Sequence, residues 1–209
     1  MRDPAQRRWA LVCALGVAGC VEPRYPGSEV MGTFAFSAGV SLGAPLGEAA
    51  CTAPGPPEEP FPELPKEPFS FSGTFSRDDP SNPAAAFFSL GGFDQNATFD
   101  GQVIRAITSA PRQFAQCECP EVTVEETLVV ALLSRSQRDA LESPVCPPNA
   151  LTGGVPAPDG AAITPPQTTS NGFDAVLACG ELIDRVLPNP ETCACAPCAV
   201  RYPVSGDRR

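Results

Sequence analysis

Apolar and polar residues alternate along much of this chain. Between Val30 and Val40, Phe34 and Phe36 alternate with small residues. A period of two puts successive side chains on opposite faces of a strand, so this segment reads as β. Phe69, Phe71 and Phe75 repeat the pattern, with Gly73 in the same phase. The string Phe69–Ser76 resembles Gly32–Ser37, but the likeness is too short to mark a duplication. A short apolar run, Ala84–Leu90, ends at Gly91-Gly92. Residues 98–109 are expected as one strand closed by Pro111, with Phe99, Val103 and Ile107 in one phase.

Two segments allow more than one reading. Residues 121–133 keep Val122, Val124, Leu128, Val130 and Leu132 in one phase, which predicts a strand. A helix over 125–142 competes, because Leu128, Leu132 and Leu141 also share a helical face. Residues 173–187 suit either a helix capped by Asn171 or two strands hinged near Gly180. A last strand is expected over 199–205, where Pro203 suits an edge. Long connections separate these elements. Residues 53–68 hold seven prolines and favour an extended, ladder-free chain. Residues 144–169 form a second long loop rich in Pro, Gly and Thr. The sum is a mainly β, antiparallel, sandwich-like domain over residues 30–209. Short, unevenly spaced strands favour a sandwich over a closed barrel.

Composition narrows the chemistry. Proline accounts for 26 of 209 residues, more than twice the usual share of about 5%. Histidine is absent. That removes Ser-His-Asp and Cys-His nucleophile systems, His-ligated metals and an imidazole pH switch. Gly39-Val40-Ser41-Leu42-Gly43 therefore matches the nucleophile-elbow pattern only in letters. The net charge is −10, and the arginines of the first twenty residues make the remainder more acidic still. Such a body repels phosphate, which argues against a nucleic-acid partner.

The N-terminus carries the most specific motif. Arg2, Arg7 and Arg8 precede the apolar run Trp9–Gly16, and Val17-Ala18-Gly19-Cys20 follows. This layout is that of an export signal. The last four residues resemble the lipobox of bacterial lipoproteins. The resemblance implies removal of residues 1–19, a diacylglyceryl group on the Cys20 sulfur and acylation of the new amino terminus. Residues 20–29 then form a tether, and the membrane becomes a partner through the lipid. Position 21 is Val and not the Asp of an inner-membrane retention signal, so the outer membrane is the expected location in the cell envelope. No later stretch reaches the about 20 apolar residues that span a bilayer.

With Cys13 and Cys20 set aside, Cys51, Cys117, Cys119, Cys146, Cys179, Cys193, Cys195 and Cys198 remain. An even set in an exported chain reads as a disulfide framework whose connectivity the sequence does not choose. Cys117 and Cys119 would share one face of a strand, so each is expected to pair with a distant partner, for which Cys193, Cys195 and Cys198 are candidates. Two other readings exist. Cys195-Ala196-Pro197-Cys198 resembles a thioredoxin-like redox motif, though it lies at the wrong end of the chain. Cys117, Cys119, Cys195 and Cys198 form a conceivable zinc set. Asp94, Asn96, Thr98 and Asp100 alternate like calcium ligands, but Phe99 and Arg105 stand where the loop needs Gly and Glu.

The expected role is non-catalytic, either binding or structural, with an envelope protein or a glycan as partner and no cofactor or metal. The alternative is a hydrolase of envelope or extracellular polysaccharide using paired carboxylates, such as Asp94 with Asp100 or Glu125 with Glu126. A deep pocket with two carboxylates and aromatic walls favours the enzyme. Flat faces without converging polar groups favour the binder. The one tryptophan, Trp9, lies in the leader, so no Trp platform for sugars exists; Tyr25 and Tyr202 are the tyrosines.

Overall fold

A computed structural model describes residues 25–51, 64, 68–79, 81–101, 103–114, 117, 121–139, 172–189, 191–193 and 195–209. The leader, the lipobox with Cys20, the first half of the tether, the loop 144–169, Cys119 and Cys146 lie outside these residues. So does the proline-rich loop 53–68, apart from Leu64 and Pro68.

Eight strands follow one another: β1 (Glu29–Ala38), β2 (Phe69–Arg77), β3 (Ala86–Leu90), β4 (Phe93–Phe99), β5 (Val103–Arg112), β6 (Val122–Ser134), β7 (Ala175–Leu187) and β8 (Cys198–Arg208). A single short helix, α1 (Arg135–Asp139), follows β6 among the described residues. Each strand pairs antiparallel with the next, and β8 returns to β1 from Phe34↔Arg208 to Ala38↔Val204. The domain is mainly β and antiparallel, but the expected sandwich is corrected to a closed up-and-down barrel. An even number of strands lets the last meet the first antiparallel. Closure pairs backbone N–H and C=O groups that an open sheet would leave at two edges.

The phase of each strand sets what fills the barrel. Phe34, Phe36, Phe75 and Phe88 are at most 2% exposed. Their rings meet at centroid distances of 5.0–6.2 Å. Such ring pairs add about 0.5–1.5 kcal/mol each beyond burial. Inward glycines make room for them. A Cβ on Gly206 would lie 2.6 Å from Phe36, and one on Gly73 would strike the ring of Phe88. The outward phase of β1, β2 and β4 is polar or small: Thr33, Ser37, Ser70, Ser72, Asp94 and Asn96. The outward phase of β6 and β7 is apolar instead, with Ala131, Leu133, Leu177 and Cys179 buried together on that side. No helix among the described residues is long and apolar enough to cross a membrane.

Three segment readings change. Residues 98–109 are two strands, not one. Asp100 and Gly101 turn the chain, with φ +95° at Gly101 and the Asp100 carboxylate accepting from Val103 N–H at 2.8 Å. The turn resets the phase, so Ile104 and Ala106 face inward with Phe99, and Ile107 is half exposed. Pro111 lies within β5. Residues 125–142 are strand up to Ser134, and 173–187 hold one strand that runs through Gly180 without a hinge. Each supplies the other's ladder from Thr123↔Leu187 to Ser134↔Ala175, which neither could obtain as a helix. Pro203 is not at a free edge. Its carbonyl accepts from Gly39 N–H at 2.8 Å, just past the last β1–β8 pair, so its missing donor falls where that ladder ends.

Candidate functional site

The connections β1–β2, β3–β4, β5–β6 and β7–β8 share one end of the barrel, here called the mouth. Gly91-Gly92 closes the β3–β4 hairpin there with φ +58° and +87°, the left-handed pair that a two-residue type I′ turn requires. Two disulfides between described residues sit at this end. Cys51–Cys198 ties the β1–β2 connection to the start of β8, and Cys117–Cys195 ties the β5–β6 connection to the β7–β8 connection. Cys179 and Cys193 are also disulfide-bonded. Cys195 and Cys198 thus have separate partners and form no redox pair with each other. The zinc set is excluded as well, because Cys117, Cys195 and Cys198 are all oxidised.

Beneath the mouth, the lumen contains a cavity of about 140 Å³. Its walls are Phe69, Phe71, Phe88, Leu90, Leu128 and Leu182, with Gln95 and Glu126 as polar members. Phe71 is stacked on Phe36 at 4.9 Å, and Phe69 meets Tyr202 edge-on at 5.3 Å. These contacts hold the rings as a wall.

Two carboxyls lie in the inward phase of neighbouring strands, Glu126 in the cavity lining and Asp184 buried beside it. The register pairs Glu126 of β6 directly with Asp184 of β7, which puts their Cβ atoms about 5 Å apart. Both lie in phase with apolar residues: Val124 and Leu128 flank Glu126, and Leu182 and Val186 flank Asp184. Arg112 of β5 reaches in from the rim and donates to Glu126 Oε1 at 2.7 Å. Asp184 is only 7% exposed, and its Oδ1 has no hydrogen-bond partner. Burial, reinforced by the Glu126 charge and opposed by Arg112, pushes its pKa up to about 7. Tyr202 is raised too, by burial and by the Asp184 charge.

The carboxylate pairs expected from sequence do not assemble. Asp94 faces outward on β4 and accepts from Ser89 Oγ at 2.6 Å, whereas Asp100 lies in a turn at the opposite end. Glu125 points outward to Arg185 at 3.3 Å while its neighbour Glu126 points inward. The alternating row from Asp94 to Thr98 lies along the outer phase of β4, and Asp100 lies in the turn after it. Among the described residues, no group of three or more His, Cys, Asp or Glu side chains converges. Gly39–Gly43 lies in the loop after β1 with no helix behind it.

Sequence reasoning misses the Glu126–Asp184 pair, yet a signal is present. Position 126 falls in the apolar phase of Val122, Val124, Leu128, Val130 and Leu132. An acid on an otherwise apolar face marks a group that must be either paired or protonated.

A second hollow of about 330 Å³ lies on the outer face, beside Tyr25, Thr33, Ser72, Thr74, Ser89 and Asp94. Its polar groups bond one another: Thr33 to Thr74 at 2.8 Å and Ser89 to Asp94. That leaves them less to offer a ligand than the unpartnered acid inside. No protein-family model, curated protein or solved structure matches this chain, so the reading of the lumen rests on its own residues.

Proposed function

We propose that this is a lipid-anchored envelope protein with a non-catalytic role, whose barrel binds a small, largely apolar ligand in its lumen. The observation that carries the reading is the ring-walled cavity of about 140 Å³. An eight-stranded barrel is just wide enough to be filled by side chains or to hold one small ligand. An apolar void of about 150 Å³ accepts a benzene ring. The anchor fits this use. Cys20 precedes Glu29 by nine positions, and β1 starts at the end opposite the mouth. A tether of that length reaches about 30 Å at most, so lipid on Cys20 turns the mouth away from the bilayer.

Two acids and aromatic walls are also what a glycoside hydrolase needs. Geometry favours binding nonetheless. Glu126 and Asp184 project from adjacent strands of one wall, where a glycosidase places its carboxyls on either side of the scissile bond. The cavity is also small for two sugar rings.

Leu128→Trp fills the lumen. Calorimetric titration of the mature protein with benzyl alcohol is expected to show binding, and the variant is expected to lose at least ten-fold in affinity. Equal binding by both proteins places the ligand elsewhere. For the anchor, the N-terminal peptide of membrane-extracted protein is expected to begin at Cys20 and to carry acyl mass; an unmodified Cys20 overturns lipidation.

A further inference from the structure

Resting on the lumen reading, we infer that the ligand is a small organic cation. Its aromatic or short alkyl body sits against Phe69, Phe71 and Phe88, and its ammonium lies at the Glu126–Asp184 pair. Three observations converge on this class. The cavity is walled by the rings of Phe69, Phe71 and Phe88, and an aromatic ring attracts a cation that settles over its face. Glu126 lines the same cavity. Asp184 stands beside Glu126, over nine-tenths buried, with an oxygen that no protein group satisfies. An ammonium carries up to three N–H donors and one positive charge. It meets both needs at once, supplying the missing donor and the countercharge.

Other ligand classes fit less well. An anion would have to compete for Arg112, which Glu126 already holds at 2.7 Å and which is half exposed at the rim. Inside, it would meet two carboxyls. A neutral alcohol could donate to Asp184 but would leave the acids' charge unbalanced. A bare metal ion would gain two carboxyls and the Gln95 amide, and otherwise meet hydrocarbon.

Uptake of a cation is tied to ionisation of Asp184. The charged groups facing it from the neighbouring strands are Glu126 of β6 and Arg112 of β5, with Tyr202 of β8 neutral across this range. Affinity for an amine therefore rises by up to about ten-fold between pH 6 and pH 8.

Three near-isosteric probes test the assignment: benzylamine, benzyl alcohol and benzoate, titrated into the mature protein at pH 8 in 150 mM salt, which screens surface carboxylates. Benzylamine is expected to bind about ten-fold or more tighter than benzyl alcohol, with benzoate weakest. Glu126→Gln and Asp184→Asn should each shrink the ratio of benzylamine to benzyl alcohol affinity by several-fold. Glu125→Gln, one position away but facing outward, should leave the preference intact. Equal affinity for amine and alcohol, or a preference for benzoate, overturns the cation assignment and leaves the lumen reading standing. Binding of none of the three overturns the lumen reading itself, and the cation assignment with it. An amine preference that survives in Glu126→Gln/Asp184→Asn places the cation outside the lumen and also overturns the assignment.

Discussion

Raising the pH from 5 to 9 is expected to destabilise this barrel, and Asp184→Asn is expected to remove most of that loss. Asp184 is buried in the lumen wall with its pKa raised to about 7 from 3.8. A carboxyl with a raised folded-state pKa holds its proton more tightly folded than unfolded. Its stabilising contribution is complete below about pH 3.8 and disappears as pH rises through 7. Each ten-fold gain in proton affinity on folding corresponds to about 1.4 kcal/mol, so the loss by pH 9 is of the order of 2–4 kcal/mol.

Glu181 of β7 is shifted in the same direction. It is 5% exposed on the outer side of the barrel, and burial raises its pKa against the pull of Arg201 and Arg185. Thermal midpoints at pH 5, 7 and 9 for wild type and Asp184→Asn read the difference directly. Parallel curves for the two proteins would falsify the assignment of the slope to Asp184. Saturating amine would counteract the loss at high pH, since a bound cation stabilises the ionised pair.

Phe75→Ala is expected to be the most damaging single truncation in the barrel. Phe75 has no exposed surface and touches Phe34, Phe36 and Phe88 through its ring. Its β1 and β3 neighbours are fixed by strand pairing and cannot collapse fully into the space. The cost is about 3–5 kcal/mol, a fall of about 6–20 °C in thermal midpoint for a protein of this size. Phe93→Ala is the matched control. Phe93 is 77% exposed at the mouth, and its removal should change stability by about 0.5 kcal/mol or less. Similar losses in both variants would mean that the Phe34–Phe36–Phe75–Phe88 cluster is not the centre of the core.

Much of the strand content is legible in single residues. Phe34 with Phe36, and Phe69 with Phe71 and Phe75, alternate so plainly that β1 and β2 can be placed from sequence. Turns are less legible. Asp100-Gly101 reverses the chain, but the apolar residues on either side, Phe99 and Val103, look like one continued phase. Reading them so inverts the face of Val103 and Ile107. Gly180 misleads in the opposite sense. A glycine inside a strand suggests a break, yet here the ladder on both sides carries the strand through it.

The candidate site shows the same division. Glu126 can be seen as an acid in an apolar row. Asp184 cannot be matched to it, because its own segment reads equally well as a helix, and a helix would place its side chain elsewhere. The cysteines supply an even set, and no arithmetic on it selects Cys51 for Cys198 or Cys117 for Cys195.

Local pattern, then, determined that the chain is mainly β, which residues alternate, which chemistry histidine's absence removes, and that the residues up to Cys20 resemble a lipobox leader. These depend on neighbours within a few positions. The tertiary structure decided that the sheet closes, and with closure everything inside it. Pairing of Phe34–Ala38 with Val204–Arg208 joins segments at opposite ends of the chain, and the same alternation would serve either a sandwich or a barrel. Only the ring of eight strands makes one side of that alternation a lumen, and only its register sets Glu126 against Asp184 beside a wall of phenylalanines.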